Sequence, residues 1–234
     1  EENLLDRVYD DVLGGRGRIY LTKRELIEAE KKRRQNLKKL GKLSKSQRDD
    51  KDEVDSVDFV YTTLSTEGIP ITKSDAKLAY EFFEKNVRSV RDENIRASLD
   101  MIKGLRLVKE SKKGLSIDFI SRLHKTIMGN YPEKNPGKLR KKPTFIYLKS
   151  FEKVEEIGFR PSHPQAIEKE LEQLFSWYNA NAGKLNAIEL AALLHLRFYK
   201  IHPFEDGNKR VCRLLFNKAL FDCGYPLLNV SKNT

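Results

Sequence analysis

Residues 200–213 read KIHPFEDGNKRVCR. They gather an imidazole (His202), two carboxylates (Glu205 and Asp206), an amide (Asn208) and four cations (Lys200, Lys209, Arg210 and Arg213) around the Pro203–Phe204 step. An apolar helical pattern runs into this stretch and another runs out. His202-Pro203 ends the first helix, because proline disfavours helical backbone at the residue before it. A second helix begins near Gly207. Its first turn presents unpaired backbone N–H groups and the positive end of a dipole, which together form an anion site. Gly207 lets backbone approach a ligand closely. Arg210 and Arg213 are three apart and share one helix face. An imidazole beside a phosphate cradle points to a general base next to a nucleotide. Asp206 is the hard oxygen ligand that a magnesium–phosphate complex needs. The chemistry implied is transfer of a phosphorus-centred group. A structural histidine at a capped helix start would explain His202 alone, but not the ordered set.

The elements that must position these residues are helical nearly throughout, so the fold class is all-α. Val54, Val57, Tyr61 and Leu64 recur at helical spacing, as do Ala76, Ala79, Phe83 and Val87, and then Ile95, Leu99, Ile102 and Leu105. Ser116 reads as an N-cap and Pro164 as a first-turn proline. Asn186 and Glu189 have capping-box spacing. AIELAALLHLRFYKI, 187–201, is apolar on nearly all sides and must be central. Gly224 reads as the C-cap of the last helix. The exception is 143–160, read as a short hairpin with a charged loop. Residues 42–53, KLSKSQRDDKDE, read as an exposed joint behind a basic arm.

Net charge is +11, and 13 Lys/Arg against three Glu between Arg16 and Arg48 account for +10 of it. The arm could meet nucleic acid or another anionic surface, but a solvated helical face explains it as well. It lacks the interleaved aromatics that base stacking would use. Cys212 and Cys223 are eleven apart on one predicted helix, about 16 Å, beyond the about 7 Å a disulfide spans. With no run of about 20 apolar residues and no signal peptide, the chain reads as cytoplasmic.

HPFEDGNKRVCR resembles the Fic-family motif HPFx(D/E)GNGRxxR at all but one position. Pro136-Gly137-Lys138-Leu139-Arg140 looks like the PGxxR turn ahead of that family's flap, and the 143–160 hairpin lies where the flap should be. SHPQAIEKELEQLFSWYN and AALLHLRFYKIHPF resemble the two helices that follow, so the likeness covers about residues 60–225. It implies a Fic-type helical bundle at 51–234 behind a basic arm at 1–50. Most family members are adenylyltransferases, moving AMP from ATP to a hydroxyl of a target protein. By resemblance, His202 deprotonates a target Ser, Thr or Tyr, Phe204 anchors the loop and Asp206 holds Mg²⁺. Gly207, Asn208 and Lys209 stand at the phosphate-binding helix start, where Arg210 and Arg213 hold the β- and γ-phosphates. Ile157, Gly158, Phe159 and Arg160 on the flap cover the nucleotide and dock the target by strand pairing. A homodimer is expected by the same analogy.

TLSTEG, 63–68, is similar to the family's inhibitory pattern (S/T)xxxE(G/N), with Thr63, Glu67 and Gly68. The resemblance implies an inhibitory helix at about 54–67, whose Glu67 forms a bidentate pair with Arg213. In some relatives the same glutamate also orients a water that removes AMP.

Lys209 departs from the pattern. Death-on-curing relatives, which are protein phosphotransferases, carry lysine there, although Gly207 and Glu67 speak for AMP transfer. Relatives also continue beyond the position of Thr234 with residues that wall the base. His195 reads as a core histidine and Trp177 and Tyr178 as core or groove packing. His124 and His163 carry no readable signal.

Overall fold

The computed structural model describes residues 23–148 and 157–229. The described residues form eight α-helices and one hairpin: α1 Lys23–Gly41, α2 Lys45–Ser65, α3 Lys73–Glu84, α4 Glu93–Glu110, α5 Ile117–Met128, β1 Ile146–Leu148, β2 Ile157–Phe159, α6 Ile167–Asn181, α7 Ala187–Ile201 and α8 Asn208–Asp222. This is the all-α bundle with a small flap that the periodicity and the resemblance imply.

Helix starts follow from capping residues. Ser44 accepts from Gln47 N while the Gln47 side chain returns to Ser44 N, and Thr72 with Asp75 repeats the exchange. Asp92 and Ser116 cap α4 and α5. Each such cap stabilises its helix by about 1 kcal/mol. The cap at Asn186 runs to Ile188 N rather than closing a box with Glu189.

The segment expected as a joint at 42–53 is largely exposed, but the capping box at Ser44 confines the break between α1 and α2 to 42–44. Residues from Lys45 onward are already α2, further tied by a Lys51–Asp55 pair at 2.8 Å. The helix expected at about 54–67 therefore starts earlier, at Lys45, and ends at Ser65, with Thr66 as its C-cap and Glu67 just beyond. Its core face is also rotated from the expected stripe. Phe59, Val60 and Leu64 are buried, whereas Val54 is 59% exposed. Asp52 pairs with Arg106 and Lys109 of α4, and Asp58 pairs with Lys73 of α3, so α2 is fastened along its length.

Leu196 is 36% exposed, so helix α7 buries one face rather than all the sides its apolar composition suggests. Its Leu190, Ala191, Leu194 and Phe198 pack with Val211, Leu214 and Leu215 of α8, and the buried faces of α4 and α5 complete the core. Burying each large aliphatic or aromatic side chain is worth about 1.5–3 kcal/mol. The hairpin is antiparallel, with Ile146 opposite Phe159, Tyr147 opposite Gly158 and Leu148 opposite Ile157. Its charged loop lies outside the described residues. Of the basic arm, residues from Lys23 form α1, and 16–22 lie outside the described residues. Arg33 docks α1 by donating to Cys223 O at 3.1 Å with its guanidinium over Tyr225.

Candidate active site

His202 terminates α7 in the left-handed conformation, φ 48° and ψ 60°, with its N–H donating to Phe198 O. A left-handed non-glycine residue is uncommon, and it turns the ring back over the last helical turn. Nδ1 stands 3.3 Å from Tyr199 O. Only a protonated nitrogen can face a carbonyl, so Nδ1 carries the hydrogen and Nε2 the lone pair. Burial pushes the pKa of His202 down to about 4, helped by Arg140 and Lys209 and opposed by the Tyr199 carbonyl and Asp206. At neutral pH the ring is an uncharged base with a defined tautomer.

The loop after it is braced from within. Phe204 is fully buried and stacks on His124, with centroids 3.8 Å apart and planes 3° from parallel. His124 Nδ1 accepts from Gly137 N at 2.8 Å, so its Nε2–H donates to Asp206 O at 3.0 Å. The Asn208 amide accepts from Phe204 N at 3.0 Å and donates to Phe204 O at 2.8 Å. Its side chain is thus spent on the loop, and its contribution to an anion hole is the backbone N–H of the helix start. Gly207 also has an internal reason for its identity. It sits at φ 70°, and a Cβ there would lie 2.8 Å from Met128 Sδ. The close approach that excludes a side chain is to the protein itself.

The first-turn N–H groups of α8 have no intrahelical acceptor, and Lys209, Arg210 and Arg213 project from this end. Glu67 reaches them from the end of α2. Here the geometry corrects the expected pairing. Arg210 Nε donates to Glu67 Oε2 at 2.9 Å, while Arg213 donates to Thr66 Oγ1 at 3.0 Å. The two side chains of the ion pair are only 6% and 13% exposed. Glu67 Oε1 is buried without a hydrogen-bond partner among the described residues, so the contact is single rather than bidentate. Burial raises the pKa of Glu67, with Arg210 opposing it and Asp206 reinforcing it. Two adjacent residues of α2's end therefore occupy two arginines one helical turn apart.

A cavity of about 490 Å³ opens between α2, α7 and α8, lined by Phe59, His195, Leu196, Tyr199 and Phe216, with Lys209 and Arg213 in its wall. An apolar slot ending in cations suits a flat base joined to phosphates. From the flap, the Phe159 ring lies 5.8 Å from Tyr199, whose ring is 5.5 Å from His202. Gly158 lies against Phe145, leaving no room for a Cβ. Arg160 faces a separate polar cavity with Glu170 and Lys200. His195 is held neutral by burial, its pKa near 4, and borders the larger cavity. Trp177 lies under Arg197 at 4.0 Å. Cys212 and Cys223 are both free thiols.

Three residues gain importance only in three dimensions. His124 carries the loop, Thr66 holds Arg213, and Arg140 binds the end of α7. Arg140 was visible within PGKLR, but His124 had no marker because its partners lie 13 and 82 residues away.

The class defined by this bundle, its flap and its HPF loop is the Fic/DOC domain. Residues 114–220 match the family model of that description, "Fic/DOC family", and the chain carries this domain. Among curated proteins, the protein adenylyltransferase fic-1 of Caenorhabditis briggsae is 29% identical over 174 residues, 72% of this chain and 32% of that protein. The protein adenylyltransferase Fic of Nematostella vectensis is 30% identical over 118 residues, 50% of this chain and 25% of that protein. The chain thus spans about a third or less of the length of these relatives. Among solved structures, a Fic-domain-containing signaling protein from Bacteroides thetaiotaomicron superposes with a TM-score of 0.75 at 27% identity, covering 87% of this chain and 76% of that one.

Proposed function

We propose that this chain transfers AMP from ATP to a hydroxyl side chain of a protein. The observation that carries the reading is the neutral His202, with Nδ1 committed to Tyr199 O, beside a helix start bearing Lys209, Arg210 and Arg213. The target Ser, Thr or Tyr hydroxyl gives its proton to Nε2 as its oxygen attacks the α-phosphorus. The bond from the α-phosphorus to the bridging oxygen breaks, and pyrophosphate leaves with its charge against the α8 N–H groups and the two arginines. The apolar slot lined by Phe59, Tyr199 and Phe216 takes the base. The flap offers an extended edge to the target segment.

Asp206 presents one carboxylate here, with Oδ1 taking the Gly207 N–H at 2.6 Å, and no group of three or more His, Cys, Asp or Glu gathers among the described residues. A lone carboxylate fits Mg²⁺ that arrives on the nucleotide, since this ion keeps few protein ligands. The ion would offset charge on the phosphates.

Glu67 acts as the brake in this reading. Arg210 cannot serve a phosphate while it pairs with Glu67, and a fixed carboxylate opposes the triphosphate. A second activity is favoured by one atom. Glu67 Oε1 is buried with no hydrogen-bond partner among the described residues, which leaves it a lone pair for a water once the site opens around a modified target, and the same residue would then assist hydrolytic removal of AMP.

The test is incubation of cell extract with α-labelled ATP and three proteins: wild type, Glu67→Gly and Glu67→Gly/His202→Ala. Strong label only with Glu67→Gly supports base, brake and nucleotide together. Mass spectrometry of the product must show an added AMP; an added phosphate would instead mark the phosphotransfer that Lys209 suggests.

A further inference from the structure

Arg140 is 4% exposed, yet its guanidinium meets no carboxylate among the described residues. It donates instead to four backbone carbonyls: Nε to His202 O at 2.7 Å, one terminal nitrogen to Lys142 O at 3.0 Å, and the other to Ser162 O and to Ile201 O at 3.3 Å. Its own N–H donates to Pro203 O at 2.8 Å. These acceptors come from three places. Lys142 precedes β1, Ser162 follows β2, and Ile201 and His202 close α7. One planar fork therefore ties both feet of the flap to the turn that carries the base.

We propose that Arg140 is the positioning residue that holds His202 and the flap as one unit. The proposal rests on the AMP-transfer reading for its kinetic consequence, though not for its geometry. The physical case has three parts. First, the last carbonyls of a helix lack intrahelical donors and stand at the negative end of its dipole. They are thus suited to a buried cation that has no anionic partner. Second, the left-handed conformation of His202 has to be held against its intrinsic cost, of order 1–3 kcal/mol. The 2.7 Å bond to its carbonyl fixes that peptide plane. The ring direction, and with it the Nδ1 contact to Tyr199 O, follows from the plane. Third, the geometry needs arginine. Lysine would keep the charge but offers three donors from a single point, which cannot reach carbonyls spread around the edge of a planar fork.

Arg140 touches no substrate in this arrangement, so its loss should appear in turnover and not in nucleotide affinity. The experiment is made in Glu67→Gly protein, comparing Arg140 with Arg140→Lys at a temperature where circular dichroism shows both folded. Should the lysine variant not fold, Arg140→Ala with and without millimolar methylguanidinium takes its place. Two quantities are read: self-labelling kinetics with α-labelled ATP, and the ¹⁵N resonances of the His202 ring. We expect kcat to fall about 10²-fold, the loss typical of an ångström-scale misplacement, with KM for ATP within about threefold. The ring should change from a single Nδ1–H tautomer to an exchange average, and methylguanidinium should reverse both changes in the alanine variant. Unchanged kcat, a loss confined to KM, or an unaltered ring spectrum would each overturn the proposal. If the Arg140 parent does not label at all, the transfer reading fails instead, and the ring spectrum still decides the clamp.

Discussion

Replacing Glu67 with glycine removes the carboxylate that occupies Arg210. The contact is one charge-assisted hydrogen bond of 2.9 Å between side chains that are 6% and 13% exposed. Bonds to charged groups are worth about 1.5–3 kcal/mol net, and 1.4 kcal/mol is tenfold in an equilibrium. Freeing Arg210 should therefore raise the productively seated ATP, and hence initial self-labelling at subsaturating ATP, about 10- to 100-fold. Glu67→Gln should fall between, since the amide can still accept from Arg210 without repelling phosphate. The pairing itself can be measured without nucleotide. A double-mutant cycle of urea unfolding with Glu67→Gln and Arg210→Lys should give a coupling of about 1 kcal/mol or more. The corresponding cycle with Arg213→Lys should give less, because Arg213 is held by Thr66. Equal labelling by wild type and Glu67→Gly would refute the brake. A larger coupling to Arg213 than to Arg210 would refute the geometry from which the brake is argued.

Further tests use other parts of the site. Thr66→Val removes the hydroxyl that accepts from Arg213 and should raise self-labelling by about 3- to 10-fold, as expected for one hydrogen bond of about 1 kcal/mol; assay by labelled ATP. Burial raises the pKa of Glu67 above its ordinary 4.5, so the folded state binds its proton more readily than the unfolded chain. The stability that Glu67 contributes is present in full below pH 4.5 and is lost as pH rises through its folded pKa. The urea midpoint of wild type minus that of Glu67→Gln should accordingly fall over that window. His202 has the opposite shift, down to about 4. In Glu67→Gly protein, kcat/KM should thus show no loss of the base between pH 7 and 5.5, where an ordinary histidine would be mostly protonated. Gly207→Ala forces a side chain at φ 70° to within 2.8 Å of Met128 Sδ. It should lower stability by about 1–3 kcal/mol by urea denaturation.

Much of this protein is local information, and the sequence by itself determined that part. Caps at Ser116 and Asn186, the apolar run 187–201, the break at His202-Pro203 and the restart at Gly207 all depend on residues within one or two turns of each other. They fixed a nearly all-helical fold with a histidine at one helix end and the open first turn of the next helix beside it. Local information failed where tertiary burial chose between faces. Val54 fits the stripe of α2, yet Phe59 and Val60 are what the core takes. The capping box at Ser44 was likewise masked by its charged neighbours. Partnerships across the chain could be decided only by folding. Glu67 and Arg210 are 143 residues apart, Arg140 and His202 are 62 apart, and His124 and Asp206 are 82 apart. Spacing along the chain says that Arg210 and Arg213 share a face; it does not say which of them meets the carboxylate. That choice depends on how the end of α2 is set against α8 to within a side chain's reach, and packing of the whole bundle sets that distance.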